Sequence, residues 1–136
     1  MSIGEVRMLT LEQVREGDEL PPLAHQVTAT TVVLGALASR DWRPMHHDRE
    51  FAINRNGVRD IFINTPNNAA WFERYVTDWT GPRGRLGRMK FRMGEPVFPG
   101  EEMILSGRVT TRVAGGWIST WRFPCRAASR PRAGRA

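Results

Sequence analysis

The chain has 136 residues, 40% hydrophobic and 25% charged, which fits one globular domain and excludes a disordered or fibrous chain. Its net charge of +6 resides almost wholly in residues 122–136, where Arg122, Arg126, Arg130, Arg132 and Arg135 face no acid, so any phosphate attraction belongs to the tail and not to the body. One cysteine, Cys125, excludes an internal disulfide, and without a membrane-length apolar run or a secretory leader pattern the expectation is a cytoplasmic protein with no membrane or nucleic-acid partner.

Pro21-Pro22 disfavours helix, and Leu23 and Val27 bracket an extended segment within residues 18–28. Thr28 or Thr30 is placed to cap a helix running to about Ser39, with Val32, Val33, Ala36 and Leu37 as its apolar stripe. Pro44 keeps the chain irregular, and Asp48 can cap a short helix that ends near Asn56-Gly57. Residues 60–64 (DIFIN) read as a short buried strand or extended segment. Asn64-Thr65-Pro66 then opens a largely buried helix of roughly 14 residues, with Ala70, Phe72, Tyr75, Val76 and Trp79 at helical spacing and Gly81-Pro82 as its stop.

Beyond Arg88 the pattern changes to short strands. Residues 89–93 (MKFRM) alternate, Pro99-Gly100 suits a type II turn, and Met103 to Val113 is a long β-rich run. Gly115-Gly116 turns into a returning strand that starts at Trp117. The layout is α+β, one long helix lying on a curved antiparallel sheet. After Phe123 the β signal vanishes, and Pro124 and Pro131 would each remove a ladder hydrogen bond. The expected organisation is a domain over residues 1–123 whose last strand is missing or irregular. A basic Arg/Ala/Pro tail over 124–136 follows, either disordered or the product of a shifted reading frame in GC-rich DNA; 19 of the 20 basic residues are arginine.

The stretch from Ala38 to Ala52 carries the chemistry. Asp41 and His46 lie five apart with Pro44 between them, a spacing that mismatches the faces of a helix but lets a proline turn bring both onto one water molecule. A carboxylate and an imidazole on one water are the minimum kit for general acid–base hydration. On the residues alone, Asp41 as a turn cap and His46 as a half-buried packing residue is the favoured account of the pair, and the spacing does not overturn it. The second element is the helix start at Thr65-Pro66, whose first amides point outward at the positive end of the helix dipole and could stabilise an enolate oxygen. Pro66 has no N–H, so the donor would be the amide of Thr65 or Asn67; by itself the segment reads first as an ordinary capped helix.

Asp41, Pro44, His46 and Ala52 resemble the signature of the MaoC-like enoyl-CoA hydratases of the hotdog fold, with Arg40 where that family usually has glycine and Arg43 where it has asparagine. The resemblance extends through DIFIN, ERYVTDWTGP and EPVFPGEEMILSGRVT, roughly residues 17–120. RDW, MHHDRE, DIFIN and RYVTDW look like the small-subunit branch of the actinobacterial steroid side-chain hydratases, which pair with a second, non-identical hotdog subunit. It implies a hotdog fold, its long central helix wrapped by the sheet, and hydration of an α,β-unsaturated, steroid-derived acyl-CoA. Asp41 and His46 would be the catalytic pair and the Thr65 amide the oxyanion donor, with Arg43 and Asn64 beside the substrate. No metal or redox cofactor is implied, coenzyme A arriving with the substrate, and the assembly would be a heterodimer or heterotetramer, or otherwise a homodimer.

Arg83, Arg85, Arg88 and Lys90 follow the long helix and either meet coenzyme A phosphates or form a solvated basic loop. His47 beside His46 lacks a third ligand for a metal, and His25 reads as packed in a strand. Two other functions fit the same fold: a non-catalytic structural subunit of a heteromeric hydratase, and a hotdog acyl-CoA thioesterase.

Overall fold

Thr28 settles the start of the first helix: its Oγ1 accepts a hydrogen bond from the Thr31 amide, and the Thr31 hydroxyl accepts one from the Thr28 amide. The computed structural model describes residues 9–113 and 116–118. In chain order it contains β1 (Glu19–Gln26), α1 (Ala29–Ala38), α2 (Arg49–Asn56), α3 (Thr65–Thr80), β2 (Glu102–Arg108), β3 (Thr111–Val113) and β4 (Gly116–Ile118), with single 3-10 turns at Leu11–Gln13 and Pro44–His46. The 124–136 tail, Cys125 and the returning strand beyond Ile118 lie outside the described residues.

Among these residues β1 pairs with β2 and β3 with β4, as two two-stranded ladders. Val113 opposite Gly116 closes the second, so Gly116 is the first strand residue and not part of the turn. The long β-rich run is two strands, β2 and β3, interrupted at residues 109–110. Gly100, at φ 88°, supplies the left-handed position of a turn closed by the Glu101 amide on the Phe98 carbonyl, as the Pro-Gly pair requires.

The described residues gather into two compact units. One comprises residues 9–23, 71–91, 105–113 and 116–118, and buries Val14, Leu20, Tyr75, Trp79, Leu105 and Val109. The Tyr75 hydroxyl donates to the Leu20 carbonyl at 3.4 Å. The expected strand at 89–93 does not form. Met89, Lys90, Arg92 and Met93 are exposed, and Phe91 meets Phe72 edge-on with ring centroids 5.3 Å apart. Alternation marks a strand only where the backbone finds a ladder partner, and here Phe91 is placed by an aromatic contact instead.

The other unit comprises residues 24–70 and 92–104 and holds the three buried polar side chains, His46, Asn64 and Asn68. Val27, Val32, Ala36, Ala52, Ile61, Ile63, Val97 and Met103 form its apolar core. On α1, Val32 and Ala36 are buried as the stripe predicts, whereas Leu37 is exposed. Asp48 caps α2 through the Phe51 amide at 3.0 Å, and Gly57 ends it at φ 68°. Residues 60–64 are extended without becoming a strand, held by the Ile63 amide on the Val97 carbonyl at 3.0 Å.

Helix α3 is longer than expected, 16 residues, with Pro66 in its second position and not its first. It is also less buried. Asn68, Tyr75 and Trp79 are inside, Phe72 and Val76 are half-buried, and Ala70 is exposed. Helical spacing records which face is apolar, and how much of that face is covered depends on elements remote in sequence.

Candidate active site

The end of α1 aims Asp41. The helix closes in a Schellman motif: the Asp41 amide reaches the Ala36 carbonyl at 2.9 Å and the Arg40 amide reaches the Leu37 carbonyl at 3.0 Å. That geometry demands a left-handed residue at position 40, and Arg40 takes it at φ 53°, a conformation in which side chains other than glycine's crowd the backbone. Glycine would meet this demand without that crowding. The 3-10 turn at Pro44–His46 then folds the chain back, and the Asp41 Oδ2 and His46 Nε2 atoms come within 3.5 Å.

His46 is 4% exposed, and its ring is fixed from behind: Nδ1 lies 2.8 Å from the Phe62 carbonyl oxygen, which can only accept, so Nδ1 carries a proton. In the neutral ring Nε2 is therefore a lone pair facing a carboxylate oxygen. Phe62 also stacks edge-on against the imidazole, with centroids 4.9 Å apart. The Asn64 amide donates to Asp41 Oδ2 at 3.0 Å. This bond, with lesser help from the Arg43 backbone N–H and the charges of His46 and Arg43, holds the Asp41 carboxyl below the usual aspartate range against the opposing effect of partial burial.

An open cleft of about 760 Å³ lies over Asp41, lined among others by Arg40, Trp42, Arg43, Thr65 and Pro66. His46 is not part of its lining, whereas Asp41, 3.5 Å from it, is. At the helix start the two proposed amides separate. The Asn67 N–H is taken by Asn64 Oδ1 at 3.2 Å, and the Asn68 N–H by the Asn64 carbonyl at 3.1 Å. The Thr65 N–H has no acceptor among the described residues, and Thr65 lines the cleft.

The structure thus brings Asp41, His46, Arg43, Asn64 and Thr65 into one unit. Arg43 is exposed, with Nε 3.9 Å from Asp41 Oδ1. Asn64 is 1% exposed with both Nδ2 hydrogens spent, so its geometry is that of a residue holding Asp41 and not of one reaching for a ligand. Arg83 and Arg88 belong to the other unit, where they are exposed. His25 is half-buried in β1, 3.2 Å from the Thr31 hydroxyl. His47 is exposed, and among the described residues no group of three or more His, Cys, Asp or Glu could hold a metal ion. Ser39, which no motif singles out, takes the second Asn64 hydrogen at 2.8 Å.

Asp41 and a tautomer-fixed His46 thus share one proline turn beside the opening of the long helix α3. No family model matches the chain. The beta subunit of 3-oxo-4,17-pregnadiene-20-carboxyl-CoA hydratase of Mycobacterium tuberculosis is 38% identical over 94 residues, 69% of this chain and 72% of that protein. This chain belongs to the same family, the MaoC-like hydratases. The solved ChsH1–ChsH2 complex from Mycobacterium tuberculosis matches with a TM-score of 0.71 at 36% identity, over 73% of this chain and 77% of that one. The R-hydratase PhaJ1 from Pseudomonas aeruginosa matches with a TM-score of 0.68 at 16% identity, over 76% of this chain and 66% of that one, and shows the shared fold. No helix among the described residues is long and apolar enough to cross a membrane.

Proposed function

We propose that this chain is the catalytic subunit of a hydratase that adds water across the α,β double bond of a 2-enoyl-CoA with a bulky, steroid-derived acyl group, working in assembly with a second MaoC-like hotdog subunit. One observation carries the reading: Asp41 Oδ2 and His46 Nε2 face each other at 3.5 Å while Nδ1 is already committed to Phe62. Two acceptors in that arrangement are both satisfied by one water that donates a hydrogen to each, which leaves the oxygen lone pairs free to attack.

Asp41, with its basicity lowered by Asn64, stays a carboxylate and orients the water, so the imidazole of His46 is the better base. As the water oxygen bonds to the β-carbon, its proton passes to Nε2 and the π electrons move onto the thioester oxygen. The Thr65 N–H stabilises that enolate oxygen. The imidazolium then returns a proton to the α-carbon, and the pair ends as it began, with one water added. No electron changes hands, so coenzyme A takes part only as the substrate's handle. The acyl group is supported by the similarity to the 3-oxo-4,17-pregnadiene-20-carboxyl-CoA hydratase beta subunit, and the heteromeric assembly by the similarity to the ChsH1–ChsH2 complex.

The test is to co-express the chain with the second hotdog subunit and incubate the complex with steroid-derived and straight-chain 2-enoyl-CoA esters. A product heavier by one water supports the reading. Release of free thiol would make the protein a thioesterase, and no turnover from a well-assembled complex would make it a structural subunit.

A further inference from the structure

We infer that Asn64 is a positioning residue, a single buried side-chain amide that fastens the Asp41 carboxylate both to the end of α1 and to the first turn of α3. The inference rests on the acid–base reading of Asp41 and His46. Asn64 has two donor hydrogens and a carbonyl oxygen, and all three are engaged. Nδ2 donates to Asp41 Oδ2 at 3.0 Å and to Ser39 Oγ at 2.8 Å, and Oδ1 accepts from the Asn67 amide at 3.2 Å. Ser39 is itself tied to α1, its hydroxyl donating to the Gly35 carbonyl at 2.8 Å and the Ala36 carbonyl at 3.2 Å. From Asn67, Nδ2 donates to the Thr31 carbonyl, in the first turn of α1, at 3.1 Å.

At 1% exposure Asn64 has no water to replace a lost partner. The consequence is geometric. The Asp41 carboxylate and the free Thr65 amide, 24 residues apart, are set by one side chain, so the water and the enolate oxygen are placed relative to each other through Asn64. The ionisable groups facing Asp41 are His46 across the proposed water and Arg43 from the connecting turn; from the start of α3 it meets only the Asn64 amide.

Capping and positioning are separable by substitution. Asn64→Asp keeps an oxygen for the Asn67 amide and suits an N-cap, but it has no hydrogen for Asp41 and sets a second carboxylate beside the first. In the assembled hydratase Asn64→Asp should lower kcat at neutral pH roughly tenfold to a hundredfold, the value of a lost charge-assisted bond, and leave KM little changed. The acid limb of kcat/KM should move to higher pH. In parallel, the Asp41 side-chain carboxyl, observed by carbon NMR in the full-length complex, should titrate at higher pH in Asn64→Asp and in Asn64→Ala than in wild type.

An unmoved Asp41 titration and acid limb in a folded Asn64→Asp protein would overturn the inference. So would loss confined to Asn64→Ala and matched by lost thermal stability, which would reduce Asn64 to a helix cap. The NMR titration needs no turnover. If it moves while the wild-type complex hydrates nothing, the positioning of Asp41 stands and the hydratase reading falls.

Discussion

Gly35 of α1 faces the Asn67 side chain in the first turn of α3, and replacing it with alanine tests whether that approach is as tight as the structure has it. A Cβ built on Gly35 would lie 1.9 Å from Asn67 Nδ2 and 2.4 Å from Asn67 Cγ. Both are far inside van der Waals contact, so the whole amide must swing away and abandon the Thr31 carbonyl. Loss of that bond costs about 0.5–1.5 kcal/mol, and overpacking adds about 1–3 kcal/mol. Alanine returns up to about 1 kcal/mol of helix propensity. The net expectation for Gly35→Ala is a loss of about 0.5–3.5 kcal/mol, read as a lower urea midpoint at unchanged slope. In an Asn67→Ala background the amide is gone and only the Cβ of residue 67 remains, 3.0 Å away, so the same substitution should cost clearly less than in wild type. A Gly35→Ala protein more stable than wild type, or an equal cost in both backgrounds, would refute the close approach.

The remaining expectations concern the site itself. Arg40→Gly should raise stability by about 0.5–1 kcal/mol in urea unfolding, because glycine adopts the left-handed conformation that arginine holds at φ 53° under strain; an unchanged midpoint would contradict this. Thr65→Pro should abolish hydration by deleting the one N–H left over at the start of α3, while Thr65→Gly, which keeps it, should turn over. Normal turnover of Thr65→Pro would move the oxyanion donor elsewhere. Asp41 has a folded-state pKa below its unfolded value, so its contribution to stability is present above the ordinary aspartate range of about 3.9 and is lost as pH falls through the lower folded value. The stability difference between wild type and Asp41→Asn should therefore shrink on acidification below that range, and a difference that does not change with pH would show that Asp41 is not held in this way.

Much of the site was legible in the sequence because its parts are local. The cap at Thr28, the Asp48–Gly57 helix and the turn that joins Asp41 to His46 each follow from residues a few positions apart. The Pro-Gly turn at 99–100 formed for the same reason. What was not legible is held by distant partners. Asn64 reaches back 23 residues to Asp41 and 25 to Ser39, and no local pattern marks a side chain whose role is set by such contacts. The choice between the Thr65 and Asn67 amides likewise depended on where the Asn64 oxygen points. Residues 89–93 mislead for the converse reason: their alternation is real, but the ladder that would make it a strand must come from elsewhere in the chain.

In the proposed hydratase Asp41 and His46 act together on one water. Hydration of a 2-enoyl-CoA by the assembled complex, measured for Asp41→Asn and His46→Gln beside wild type, tests this most directly. Each substitution should lower turnover by about 10² to 10⁴ while thermal unfolding and assembly remain close to wild type. Wild-type turnover in either variant would contradict the assignment.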